Sequence, residues 1–438
     1  MRNLLFNQPL AAGFACLGIM CVFFPSASEG SDTPSTPATV YDITHYGAVG
    51  DGKTLNTAAI QSAIDKCADA KGGTVLIPQG QFLSGSIFLK PGVNLHLDKS
   101  AVLLGSTNIE NYPELETRIE GHFQVWIPAL VNAKGADHLR IDGEGTIQGG
   151  GKPYWAEFWR RIAANKNTTN LDVKRPRNIF IQDSKDVRIS GIFLRQSGFW
   201  NLHLFRCQGV VVDGLDIRTP RKSPSTDGID VDSCQDVTIH GCFISVDDDN
   251  IAIKGNKGTS ALDDKTIPPD ENIHVTDCTF GLGNAAVTVG SEATTVRNVL
   301  MENCKLTGTE NNRVLELKLR PDTEQHYENI VIRNITVENP AAHLISIAGW
   351  TQYFELKGKP APSQSVSNVT LSDITGKLKD FGKIDGPAKS TVQDVTFKNI
   401  DLTLKSPAVV VKNVKGLKFE NVKINGVAYP ATPMTTGT

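Results

Sequence analysis

Asp186-Val187-Arg188-Ile189-Ser190-Gly191, Gly209-Val210-Val211-Val212-Asp213-Gly214 and Asp236-Val237-Thr238-Ile239-His240-Gly241 are one six-residue spelling met three times, roughly Asn/Asp-Val-x-Ile-x-Asn/Gly. The same run stands earlier at 138–143 and later at 272–277, and its apolar start returns at Val299, Ile330, Val369, Val395 and Leu417. Starts lie 23 residues apart from 187 to 210, 27 from 210 to 237, 26 from 273 to 299 and 22 from 395 to 417. The gap of 36 from 237 to 273 fits the same unit plus an inserted loop. A period in the twenties is that of a solenoid. Within each unit the apolar residues alternate at period two, the mark of short strands with one face inward. The closing Gly or Asn suits a tight corner with positive φ. The expected fold is all-β, a single-domain right-handed parallel β-helix.

Residues at equal offsets from each start should lie above one another in neighbouring coils, about 4.8 Å apart. Five places on stand Ile192, Leu215, Cys242, Cys278, Cys304, Ile335, Ile374, Ile400 and Val422, an apolar column that reads as an interior ladder. Three places before the start, Cys207 and Cys234 match in adjacent coils. The cysteines read first as core residues, since Cys is among the most buried residue types. Stacked neighbours are also close enough for a disulfide in an oxidising compartment, and both readings stay open.

A chain of 438 residues usually divides into several globular domains, but a solenoid grows in one dimension and needs no division. Residues 1–28, apolar from Leu4 to Phe24, read as a signal peptide and 29–39 as a Ser/Thr/Pro linker. The β-helix is assigned to 40–430 and a tail to 431–438. Export to the periplasm or the medium is expected, although Arg2 alone makes a thin basic start and leaves a retained anchor open. No later stretch is long and apolar enough to span a membrane. The net charge of −3 and mixed charges give nothing that steers the chain toward nucleic acid, and a monomer is expected. Asn56 is placed to cap a helix from about Thr57 to Ala70, with Ile60, Ala63, Ile64 and Cys67 on one face, laid across the open first coil. An insertion from about 149 to 175, with Tyr154, Trp155, Phe158 and Trp159, interrupts the repeat and reads equally as a groove wall or a packed loop.

Polar residues that a repeat does not need cluster between Gln196 and Arg320. They include Ser197-Gly198-Phe199-Trp200-Asn201-Leu202-His203, Ser223-Pro224-Ser225-Thr226-Asp227-Gly228-Ile229-Asp230 and Val246-Asp247-Asp248-Asp249-Asn250. Aligning Ile229-Asp230-Val231 with Ile251-Ala252-Ile253 sets Asp227 over Asp249 in successive coils. Asp248 joins them only if the chain turns there, because neighbours on a regular strand face opposite ways. Crowded carboxylates push one another's pKa upward, leaving one protonated as an acid and others ionised as bases. That division of labour is what glycoside hydrolysis requires. Extended to later coils, the alignment brings Asn284 beside Asp248, Arg313 into the aspartate column, and Lys318 above Lys254. Carboxylates with cations at their edge suit a sugar acid. Asp247 acquires no role and is expected in solvent.

Asp227, followed by Asp248-Asp249, resembles the pectin-degrading polygalacturonase family, glycoside hydrolase family 28, whose pattern runs Asn-Thr-Asp, Asp-Asp, Gly-His-Gly, Arg-Ile-Lys. The segment from Trp200 to His203 resembles its Phe-Trp-x-x-His stretch, and the opening through Gly52 with Gly72-Gly73-Thr74-Val75-Leu76-Ile77-Pro78 is similar to its N-terminal cap. The resemblance covers nearly the whole mature chain. It implies an inverting hydrolase that uses no cofactor and no metal, with a pectic polysaccharide or oligosaccharide as its partner. By position it implies that Asp248 is the general acid and that Asp227 and Asp249 activate water. It also implies substrate-binding roles for Trp200, His203, Asn284 and Lys318, and the register and nearness to Lys318 add Lys254, Arg313 and Arg320 as expected substrate-binding residues. Three departures stand out: Ser225 replaces the family's Asn, Asn284 its His, and Glu316 its Arg. A carboxylate in place of a substrate clamp must pair with a cation or meet a neutral sugar, which points either toward decorated or rhamnose-containing pectin or toward reduced activity.

Two other functions suit the same scaffold. A lyase would use the aspartates to hold Ca²⁺, with Arg313 or Lys318 as base, and would form unsaturated products sensitive to chelator. A non-catalytic glycan-binding solenoid would bind without turnover. Inserts at about 256–271 and 352–366 are placed to close one end of a groove and favour attack at chain ends.

Overall fold

The computed structural model describes residues 39–310 and 312–430. The expected signal peptide, most of the linker and the tail lie outside them. The rest is a right-handed parallel β-helix. One coil is typified by strands Leu202–Phe205, Gln208–Asp213 and Asp216–Arg218, and each pairs in parallel with its counterpart in the next coil, Ile229–Asp232, Gln235–His240 and Phe243–Ser245. Alternation fixes the register: Val210, Val237, Ile273, Val299 and Ile330 lie partner to partner, and all are buried. The apolar column from Ile192 to Val422 is buried throughout, as its spacing predicts.

The first residue of the repeated spelling has a specific task. Asp186, Asp236, Asn272, Asn298, Asn329 and Asn368 all sit at φ between 51° and 59°, a left-handed conformation that Asn and Asp tolerate better than other side chains. Their amides then bond coil to coil: Asn272 to Asp236 at 2.8 Å, Asn298 to Asn272 at 3.1 Å, Asn329 to Asn298 at 3.2 Å and Asn368 to Asn329 at 2.7 Å. The corner residue thus sets the bend and also joins neighbouring coils. The six described cysteines, Cys67, Cys207, Cys234, Cys242, Cys278 and Cys304, are free and buried. They belong to the core, and the Cys207 amide donates to the Cys234 sulfur at 3.3 Å.

Helix Thr57–Asp69 closes the first coil with Ile60, Ala63, Ile64 and Cys67 buried. Asn56 precedes it but does not cap it with its side chain. Its amide is engaged by the Val49 amide at 2.7 Å and the Thr54 carbonyl at 2.7 Å, tying down the N-terminal segment instead. At the other end Phe381, Phe397, Phe419 and Tyr429 stack ring against ring. Besides the loops after Lys254 and Gly349, two pieces with regular structure leave the repeat. One is an antiparallel hairpin, Leu115–Ile119 with His122–Trp126. The other is helix Lys152–Ala164, with Tyr154, Trp155 and Phe158 buried and Trp159 exposed.

Candidate active site

The site stands on the stack Leu202–Phe205, Ile229–Asp232, Ile251–Lys254, Val287–Val289, Arg313–Leu319 and His343–Gly349. Inward residues such as Ile229 and Val231 enter the core, so the alternate positions face outward. Asp230 pairs with Ala252, Thr288 with Glu316, and Asp232 with Lys254. Asp227 and Asp249 lie in the turns that feed two successive strands, with Gly228 donating to the Asp249 carbonyl at 2.9 Å. Gly228 is needed here, because a Cβ would lie 2.4 Å from the Asn250 carbonyl oxygen. The turn breaks strand alternation and lets Asp248 and Asp249 share one pocket.

That pocket, about 200 Å³, is lined by Asp227, Asp248, Asp249, Lys254, Asn284, Lys318 and Trp200. Lys318 Nζ donates to Asp249 Oδ2 at 2.7 Å, and the other oxygen, Oδ1, has no protein partner. Lys254 Nζ stands 3.2 Å from Asp227, 3.6 Å from Asp230 and 3.6 Å from Glu292. The Asn284 amide donates to Asp248 Oδ1 at 2.9 Å. Burial, with Asp227 and Asp249 beside it, pushes the Asp248 carboxyl up to about 8. Burial raises Asp227 as well, against the pull of Lys254. Asp230, beneath them and fully buried, is held well above the ordinary range by burial and by Asp227. Burial disfavours the lysine charges, but the carboxylates outweigh it and keep Lys254 and Lys318 cationic. A carboxyl pushed upward by its neighbours thus stands beside one hydrogen-bonded to an ammonium.

Three of the expected site residues do not line this pocket. His203 is fully buried, its Nδ1 accepting from Arg177 at 2.7 Å and its Nε2 standing 3.3 Å from Asp232. It is a packed histidine between the Phe180 and Trp200 rings, held neutral because burial drives its pKa down to about 3. Arg313 stands at the aspartate offset by register, but its strand begins there, two residues earlier than in the preceding coils, so the chain is extended where Asp249's coil turns and its side chain leaves the pocket. Its guanidinium donates to the Asn284 carbonyl at 3.2 Å and lies 3.5 Å from Glu316. Arg320 is spent on Asp322, 2.9 Å away at both contacts, and on the carbonyls of Gln352 and Tyr353. Trp200 does reach the pocket but is 3% exposed, with Lys254 4.8 Å above its ring.

Glu316 has the cations it needs, Arg313 at 3.5 Å and Lys318 at 3.9 Å. Asp247 is partly buried against Arg221 rather than solvated. Sequence reasoning missed Glu120, Glu292, Trp350 and Tyr353 in the lining. Glu292 and Trp350 stand five places beyond Val287 and Ile345, an offset the register already offered. Glu120 and Tyr353 come from inserts outside the repeat, where no register exists. The insertion at 149–175 supplies Asn170 to the wall. It also braces the Asp227 turn, since Arg175 lies 4.5 Å from the Phe158 and Phe199 rings and donates to the Pro224 carbonyl.

The model of glycosyl hydrolases family 28 matches residues 67–424. The chain belongs to that family. It is 30% identical over 419 residues to an endo-polygalacturonase of Pectobacterium carotovorum subsp. carotovorum, covering 91% of this chain and 96% of the relative. An exopolygalacturonase of Zea mays is 27% identical over 413 residues, covering 90% and 85%. Among solved structures, the hyperthermoactive exopolygalacturonase from Thermotoga maritima superposes with a TM-score of 0.76 at 23% identity, over 90% of this chain and 94% of that one. That likeness speaks for the fold. As a family 28 member the chain is a glycoside hydrolase.

Proposed function

We propose that this hydrolase cleaves pectin with inversion of configuration, Asp248 serving as general acid and Asp249, aided by Asp227, as base. The observation that carries the reading is the asymmetry between adjacent carboxyls, Asp248 raised to about 8 and Asp249 paired with Lys318 at 2.7 Å. Asp248 gives its proton to the glycosidic oxygen as the bond to the anomeric carbon breaks. Water attacks that carbon from the opposite face and passes a proton to Asp249, whose unpartnered Oδ1 is the available acceptor. Lys318 holds Asp249 through Oδ2, leaving Oδ1 toward the water, and Asn284 orients Asp248.

Glu316 beside Lys318 favours a neutral or decorated sugar next to the scissile bond over a bare galacturonate clamped there. The walls supplied by Glu120, Gln352 and Tyr353 favour attack at a chain end. The apolar N-terminal stretch supports export to the periplasm or the medium, and a monomer is the reading for the mature chain. Homogalacturonan, rhamnogalacturonan and their oligomers, assayed for new reducing ends beside the absorbance of unsaturated products, test the reading. Reducing ends without that absorbance are expected. Unsaturated products would make the chain a lyase, and binding without turnover a recognition module.

A further inference from the structure

Beside the carboxylate pocket lies a larger cavity of about 490 Å³, outside the machinery described above. It is formed by the hairpin, by the loop after Lys254 and by the loop after Gly349. The two spaces adjoin. Tyr353 lines both, and Lys257 on the cavity side reaches Glu120 at 3.5 Å and Glu292 at 3.8 Å on the pocket side. Their charge differs in sign. The pocket sets five carboxylates against two lysines, whereas the cavity sets three lysines and two arginines against three carboxylates. Arg118 and Arg320 are already paired, with Asp232 and Asp322, and form a fixed floor. Lys357 and Lys359 are exposed at the rim, Lys357 a loose 3.9 Å from the exposed Glu355 carboxylate and Lys359 bonded to the Ser260 hydroxyl at 2.6 Å. Two aromatic rings stand open in the same walls, Phe123 at 41% and Tyr353 at 44% exposed. Large apolar faces left in a concave polar site mark a ligand surface.

We propose that this cavity binds a uronic acid unit of the substrate, Lys357 and Lys359 meeting its carboxylate and Phe123 and Tyr353 its ring. Recognition of acid is thereby moved off the cleavage pocket, behind whose Lys318 Glu316 replaces the family's Arg, and into the adjoining space. The proposal deepens the pectin reading and rests on it. It accounts for how a site crowded with carboxylates accepts an anionic polymer: the charge is met one step away, and a less charged unit faces Asp248.

Calorimetric titration of Asp248→Asn protein with galacturonate oligomers, and with the same oligomers methyl-esterified, tests the cavity. Adding Lys357→Ala and Lys359→Ala should weaken binding of the free acids by about tenfold and change binding of the esters less than twofold. An unchanged Kd for the free acids overturns the proposal, and so does an equal loss for both forms, which would mean that no carboxylate is read. Phe123→Ala should weaken both forms, and no effect on either also counts against the site. Turnover of pectic polymers by the unaltered chain is read separately. Acid binding that ignores the lysines while turnover persists sinks the cavity alone; neither binding nor turnover by the unaltered chain sinks both.

Discussion

Asp248 and Asp249 are chain neighbours proposed for opposite roles, and their surroundings differ. Asp248 is raised to about 8 by burial and by two flanking carboxylates, while Asp249 is held by Lys318 at 2.7 Å. Asp248→Asn should lower kcat by about 10²–10⁴-fold and leave the thermal melt nearly unchanged; full activity would refute the assignment. The unaltered chain should lose activity as pH rises through about 8, where Asp248 gives up its proton, a limb visible in kcat against pH. Asp230 bears on stability instead. Folding raises its pKa, so its contribution is full below about pH 4, the unfolded value, and is lost as pH rises through the higher folded value. Asp230→Asn, which keeps the shape of the protonated acid, should therefore narrow the gap in melting temperature between pH 5 and pH 8. Asp227, Asp248, Asp249, Lys254 and Lys318 were legible in the sequence because the repeat numbers their places. His203, expected from the resemblance, and Arg320, expected from its nearness to Lys318, lie off the pocket, because a place along the chain says nothing of which neighbour a long side chain finds.

The repeat strands were legible as elements because alternation and corner chemistry agree at every coil. Ile239, fully buried in mid-stack between Val212 and Val275, is a representative rung. Ile239→Ala should cost about 2–5 kcal/mol in urea denaturation. The pieces that leave the repeat were legible only as interruptions, since an insert packs by contacts that no periodicity records. Helix Lys152–Ala164 shows this. Its Phe158 ring supports Arg175, and Arg175 holds the Pro224 carbonyl just before Asp227. Phe158→Ala should destabilise the fold by about 3 kcal/mol and also lower kcat, as the Asp227 turn loses its brace. A loss of stability with kcat intact would make the helix packing alone.

In the whole molecule, stability comes from contacts between neighbouring coils, with the N-terminal helix and the C-terminal aromatic cluster closing the ends. The described cysteines fill the core as free thiols, so added reductant should leave the melting temperature unchanged. A fall would reveal a cross-link. The fold was legible from one recurring six-residue spelling, whereas the basic cavity beside the active site was not, because it is assembled from a hairpin and two loops far apart in the chain. The proposed mechanism sets a protonated Asp248 against a water activated by Asp249. Proton NMR of a fresh digest, recorded before the new reducing ends equilibrate, tests this most directly. The first anomer to appear should be opposite in configuration to the bond cleaved, with no unsaturated sugar; a retained anomer or an unsaturated end would contradict the proposed mechanism.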